Sequence, residues 1–282
     1  MKVSVVKHRL VIDGKLVTFR QTPNGGASLK SPSVLIMHDT AGRIDSGKSS
    51  VEWLCNPKSK ASAHLVVDRQ GNVTQLMDFN KTTWHAGKSV YKGRSGVNSF
   101  GIGIEFVNPG LLTSKGRAWF GETFDIAKYG IEKASSEYHG TGWWMPYTPE
   151  QISLAVNINI ALIEAYPTIK DISTHWFIAP KRKVDTNPLF PLDYVRSRVL
   201  GRGDDNPDLL VRAGATIRKY PSFYKSNILH SPTADLKGTL LSSGIYEVKG
   251  DSEITGTSPR LWMKVKTAKG DGWVLATEVE MN

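Results

Sequence analysis

The sequence predicts an α/β fold, a mixed central β-sheet flanked by helices, followed by a small all-β barrel. Three observations predict it. Two short, nearly all-apolar runs, SVLIM at 33–37 and FGIGIEFV at 100–107, have the composition of strands buried inside a sheet. An apolar-rich run over 148–166 carries the punctuation of a long helix. Past GRGDDNP at 201–207 the chain changes to short alternating segments separated by Gly, Pro, Asn or Asp, the pattern of a small barrel or sandwich.

In chain order, residues 2–20 read as two short strands around the turn Asp13-Gly14, and 23–26 as loop. SVLIM is the first buried strand. Residues 49–54 suit a short helix, ended before Asn56-Pro57. HLVVD at 64–68, the turn 69–72 and VTQLM at 73–77 make a strand–turn–strand unit. FGIGIEFV follows, its glycines signalling close packing of neighbouring backbone. Thr148 caps the long helix, Pro149 suits its first turn and Gln151 completes a capping box. A final helix spans 191–200. Residues 1–200 then form one domain, 201–207 a linker, and 208–282 the barrel, with LLVRA, GTLLS, IYEVKG, LWMKVKT and DGWVLA as its strands.

The 282 residues, 40% hydrophobic and 22% charged, exclude a disordered, collagen-like or disulfide-scaffold chain. A single cysteine, Cys55, allows no internal disulfide. No apolar run approaches the roughly 18–20 residues that cross a bilayer, and residues 1–10 lack the continuous apolar core of a secretory signal. The expected product is soluble and cytoplasmic when made. The net charge is +10, and residues 204–282 carry as many acidic as basic side chains, so the whole excess sits in residues 1–203. Such a surface attracts polyanions: nucleic acid, anionic membranes or the acidic polymers of a bacterial envelope. No nucleic-acid-binding motif accompanies it.

Among seven histidines, His38 directly follows SVLIM and belongs at a strand end. His175 opens HWFIAPKRKVD, which Asp185 closes ten residues later. Two imidazoles and a carboxylate are a ligand set for catalytic zinc, with the fourth position left to water. Spacing alone does not connect His38 to His175. Glu105 sits inside FGIGIEFV, where a carboxylate is costly without a partner or a task; it suits either a general base or an edge position facing water. Lys183 either places an ammonium near a reacting oxygen or is one more solvated cation of KRK. GRIDSGKS at 42–49 fits GxxxxGK[ST] after a strand, yet the helix behind it is short and Asp45 would put a carboxylate in the loop. The chain has no HExxH, CxxC or GxSxG, and Cys55 in its WLC context reads as an inert buried thiol.

Five motifs in one order, VLIMHDTAG (34–42), SAHLVVDRQGNVTQL (62–76), TTWHAG (82–87), NSFGIGIEFVN (98–108) and THWFIAPKRKVD (174–185), resemble the zinc-dependent N-acetylmuramoyl-L-alanine amidases. That superfamily takes in phage endolysins, bacterial anhydromuropeptide amidases and animal peptidoglycan recognition proteins. The resemblance covers about residues 30–200. It implies that His38, His175 and Asp185 bind Zn2+, that Lys183 stabilises the tetrahedral intermediate, and that Glu105 is the catalytic glutamate of the bacterial branch. Other branches carry a tyrosine just before the histidine matching His64; here that position is Ala63, so the base falls to Glu105. His64 and Trp84 match positions near the substrate groove.

The implied reaction is hydrolysis of the amide joining the lactyl group of N-acetylmuramic acid to L-alanine. LLVRAGATIRKYPSF at 209–223 and KGDGWVLATEVE at 269–280 resemble bacterial Src-homology-3-like domains, which implies a module that binds the cell wall and raises local substrate concentration. Together these imply a monomeric phage or prophage endolysin that lyses cells by attacking peptidoglycan after release through a separate, holin-type membrane lesion. The alternatives are a non-catalytic peptidoglycan-binding protein of the same fold and a cytosolic muropeptide-recycling amidase.

Overall fold

Alternation along the apolar strands decides the architecture. The structure, a computed structural model, describes residues 1–136, 138–200, 208–223, 225–246 and 260–281. Its central sheet contains β1 (Thr18–Phe19), β2 (Val34–Asp39), β3 (Leu65–Val67), β4 (Val73–Gln75), β5 (Gly101–Phe106) and β6 (Asp171–Thr174). Across the sheet they lie in the order β6-β2-β5-β3-β4-β1. The first four are parallel, β4 is antiparallel to β3, and β1 is parallel to β4, so the sheet is mixed.

Successive side chains of a strand face opposite sides. On one side, Leu35 and Met37 of β2 join Ile102, Ile104 and Phe106 of β5 in the main core, against Ile152, Ala155, Ile158 and Leu162 of the long helix. On the other, Val34 and Ile36 enter a smaller core with Ala86, Val97, Phe100 and Ile178. Continuing the alternation puts His38 and Glu105 on this second side.

The helices are α1 (Lys48–Leu54), α2 (Pro149–Ala165), α3 (His175–Ile178) and α4 (Leu192–Leu200), besides a single turn at Ile126–Tyr129. At the start of α2, Thr148 Oγ1 accepts the Gln151 N–H and Gln151 Oε1 accepts the Thr148 N–H, the reciprocal box that the sequence predicts. A cap of this kind is worth about 1 kcal/mol. Just before α1 the Asp45 carboxylate accepts from the Ser49 backbone N–H and hydroxyl. An anion already sits where a phosphate loop would bind one, and the helix has only seven residues, so the GRIDSGKS match lacks the structure that would give it meaning.

Four expectations are corrected. The first 20 residues form three paired strands before β1, because Lys7 and His8 also turn the chain, both at positive φ. Neither residue is a usual turn former, so sequence reading saw only the Asp13-Gly14 turn. The glycines of β5 make room chiefly for side chains: a Cβ on Gly103 would come within 2.5 Å of the His85 ring. GTLLS and the first residues of IYEVKG belong to one strand, Leu236–Tyr246, which absorbs its Ser-rich centre in a β-bulge. Among the described residues, the C-terminal strands, expected as a small barrel or sandwich, form one seven-stranded antiparallel sheet with edges at Ile228–His230 and Val279–Met281.

That sheet has a core of its own, including Val211, Ile217, Met263, Val265 and Val274. Leu261 packs against both this core and the main one, and Arg260 donates to the Gly130 carbonyl at 2.6 Å. The linker 201–207 lies outside the described residues. No helix among the described residues is long and apolar enough to cross a membrane.

Candidate metal centre and active site

Parallel pairing assembles the site. Glu105 lies opposite His38 in the β5–β2 register, and Thr174 lies opposite Met37 in the β6–β2 register. His175 follows Thr174, so Glu105, His38 and His175 stand level at the C-terminal ends of three adjacent strands, about 5 Å apart per step. Open α/β sheets place their sites at this edge. Asp185 arrives from the loop after α3, steadied by a hydrogen bond from the Trp176 N–H to its own carbonyl at 2.7 Å.

Three atoms converge. His175 Nδ1 is 2.8 Å and His38 Nδ1 3.1 Å from Asp185 Oδ2, and the two nitrogens are 3.0 Å apart. The far sides of the rings settle their protonation. His85 Nε2 lies 3.3 Å from the Gly101 carbonyl, which can only accept, so this nitrogen carries the proton and His85 Nδ1 is an acceptor. His38 Nε2, 3.0 Å from His85 Nδ1, must then donate, leaving His38 Nδ1 with its lone pair free. His175 Nε2 donates likewise to the Ala86 carbonyl at 3.2 Å. Two bare nitrogens and a carboxylate oxygen, all acceptors, are thus held within 3.1 Å with no proton to share. A divalent cation resolves that repulsion, and the donor set, the distances and the outer hydrogen bonds all fit one.

The electrostatics agree. Burial, then the neighbouring His175, lowers the His38 pKa to about 4, keeping the ring neutral as a ligand must be. Burial, reinforced by Asp185 and Asp39, raises Glu105 well above an ordinary glutamate, with Lys183 opposing. Glu105 therefore sits inside the site on a central strand, partly buried, and its Oε2 has no hydrogen-bond partner among the described residues. Glu105, Lys183, Asp185, His175 and Trp84 line a common cavity of about 510 Å³. A larger cavity of about 800 Å³, between the first domain and the C-terminal sheet, contains none of these residues.

His64 lies elsewhere. It is fully buried beneath the site, its Nδ1 accepting from Thr83 Oγ1 and the Gly103 N–H and its Nε2 donating to the Lys81 carbonyl, and it does not line the cavity. Trp84, 44% exposed, does.

Sequence reasoning missed the residues that hold the ligands in place. His85 was visible in TTWHAG, and the alternate glycines of FGIGIEFV announced a bulky neighbour without naming it. Asp39 accepts from Tyr147 Oη at 2.9 Å and from the Asn187 N–H at 2.8 Å, which ties the end of β2 to the chain just past Asp185. Burial raises its pKa to about 7. Arg182 donates to the carbonyls of Ala86 and Lys88 and so clamps the loop that carries His85.

Comparison with known proteins adds independent findings. A profile of the N-acetylmuramoyl-L-alanine amidases matches residues 28–188. The chain is similar to the 1,6-anhydro-N-acetylmuramyl-L-alanine amidase AmpD of Escherichia coli, at 28% identity over 68% of this chain and 96% of that protein. It is 32% identical to AmpD of Salmonella typhimurium (strain SL1344), over 66% and 92% respectively. A crystal structure of a selenomethionine AmpD derivative superposes with a TM-score of 0.47 and 24% identity, covering 69% of this chain and 98% of that one.

Proposed function

The chain belongs to the N-acetylmuramoyl-L-alanine amidase family, and on that premise we propose that it hydrolyses the amide between N-acetylmuramic acid and L-alanine with a zinc ion held by His38, His175 and Asp185. The observation that carries this reading is the convergence of those three acceptor atoms beside an unpartnered Glu105 oxygen and the Lys183 side chain. When bound, zinc supplies an acidified water and withdraws electrons from the scissile carbonyl.

The protein's own groups do the rest. Glu105 takes the proton of the attacking water and returns it to the leaving amine of alanine. Its unpartnered oxygen is available to that water, and the Lys183 charge opposes, without outweighing, the burial that raises its pKa. Lys183 holds the oxygen that gains negative charge during attack. Trp84 forms part of the cavity wall against which the substrate lies. His64 supports the floor: it holds the Gly103 N–H and the Lys81 carbonyl, fixing β5, which carries Glu105, and the strand Lys81–Thr83, which leads into Trp84.

The intact set of ligands, base and cation argues against a binding protein that has lost catalysis. For cellular role, the AmpD relatives act on anhydromuropeptides by name and align along most of their length, which favours muropeptide recycling over the endolysin role. The Src-homology-3-like reading of residues 208–282, with wall binding, is what supports the lytic alternative. One experiment tests the chemistry: mass spectrometry of products from a defined muropeptide, with and without chelator. Release of free peptide bearing an N-terminal alanine, abolished by chelator and restored by zinc, is expected; cleavage at any other bond overturns the reading.

A further inference from the structure

The chain between β5 and α2 builds something of its own. Strands Leu111–Leu112, Glu132–Ser136 and Gly140–Trp144 pair into a separate three-stranded sheet over a small core that includes Leu112, Phe124, Ile131 and Met145. Ser136 shapes the turn between the last two strands, its hydroxyl oxygen accepting the N–H groups of Tyr138 and His139 at 3.3 and 3.2 Å. That turn reaches the loop that carries Asp185. The Tyr138 ring stacks on Trp176 at 4.2 Å, and the His139 ring stands edge-on to Trp144 and Trp176 at 5.9 and 5.6 Å. The tautomer of His139 follows from its partners. The Thr186 carbonyl, 2.8 Å from His139 Nε2, can only accept, so Nε2 donates. His139 Nδ1 then accepts from the Ser136 hydroxyl at 2.6 Å, and both ring nitrogens are committed.

Asp185 needs such a hold. His38 and His175 stand at strand ends, fixed by parallel pairing, whereas Asp185 comes from a loop. Three consecutive residues of that loop are pinned: the Asp185 carbonyl by the Trp176 N–H at 2.7 Å, the Thr186 carbonyl by His139, and the Asn187 N–H by the Asp39 carboxylate at 2.8 Å. Trp176 and Asp39 are chain neighbours of His175 and His38, so those two anchors tie one candidate ligand to another. His139 brings in a separately packed body. We infer that His139 is a positioning residue: its bond to the Thr186 carbonyl, backed by Tyr138 on Trp176, sets where the Asp185 carboxylate stands against the two imidazoles. This rests on the amidase reading of the metal centre and adds to it a task for the accessory sheet. Neither Tyr138 nor His139 lines the catalytic cavity; both line the larger one, together with Thr186 and Asn187. They act on Asp185 from behind and not on substrate. Metal–ligand distances hold to about 0.2 Å, so a loop released at Thr186 grips the ion less tightly.

The test measures zinc affinity of the full chain by competition with a chromophoric chelator, and ligand geometry by the visible absorption of the cobalt-loaded protein. His139→Leu keeps bulk and removes the donor: affinity falls about tenfold and the cobalt spectrum changes. His139→Gln, whose side-chain amide can donate to the same carbonyl, recovers most of both. A general loss of packing would instead lower the urea midpoint of both variants in chelator without separating their affinities, and that result overturns the role. Parental affinity in His139→Leu overturns it too. Should His139→Leu fail to fold, His139→Gln is set against His139→Asn, whose amide is one methylene shorter; equal affinities in that pair overturn the role. A parental chain that binds no zinc overturns the metal centre and the amidase reading with it, a failure distinct from the others.

Discussion

His85 Nδ1 lies 3.0 Å from His38 Nε2, and that contact decides which nitrogen of His38 faces Asp185 and His175. The relay starts at a backbone carbonyl, Gly101, and ends at the point where His38, His175 and Asp185 converge. A ring held from behind in one tautomer binds a cation without first reorienting.

Replacing His85 with Ala removes that hold while leaving all three ligand atoms. Zinc affinity is expected to fall about 10–100-fold, measured by competition with a chromophoric chelator. Gly103→Ala should produce the same loss by a different route, since its Cβ would press on the His85 ring at 2.5 Å. Unchanged affinity in both variants would remove the relay from the mechanism.

Glu105→Gln keeps shape and removes the base. Turnover should drop by about 10²–10⁴ while zinc content, measured by atomic absorption, stays near the parental stoichiometry. Parental turnover in this variant would assign proton transfer to another group.

Lys183→Met removes a charge that acts on the developing oxyanion. A loss of about 10²–10³ in kcat with little change in KM is expected. An effect confined to KM would mean that the lysine binds the substrate in its ground state.

His64 predicts a pH dependence of stability. Burial lowers its pKa to about 4, against 6.5 for the exposed side chain. The unfolded chain therefore takes up the proton first, so the contribution is complete above pH 6.5 and is lost as pH falls toward 4. It amounts to about 3 kcal/mol at 1.36 kcal/mol per unit. Urea unfolding in chelator between pH 7 and 4.5 should show this decline, and His64→Gln should flatten it in part. Only in part, because burial lowers His38 and His85 in the same sense.

Much of this was legible in one dimension. SVLIM and FGIGIEFV are apolar on both faces because both faces are covered, and Thr148, Pro149 and Gln151 mark the start of α2 through local chemistry that needs no distant partner. Lys7-His8 hid a turn because positive φ there is imposed by strand pairing on residues that do not favour it.

The sequence by itself determined the inventory: two apolar strands ending in His38 and Glu105, a capped helix behind them, and a segment in which Asp185 follows His175 by ten residues. Tertiary structure alone decided that His38 and His175, 137 residues apart, share one point with Asp185. It also decided that His85 stands behind His38, that His64 lies under the site and away from its mouth, and that His139 reaches the residue after Asp185. The physical reason is that alternation and capping are properties of neighbours along the chain. Strand order and register are settled by which faces find a common core, and no local pattern encodes that choice.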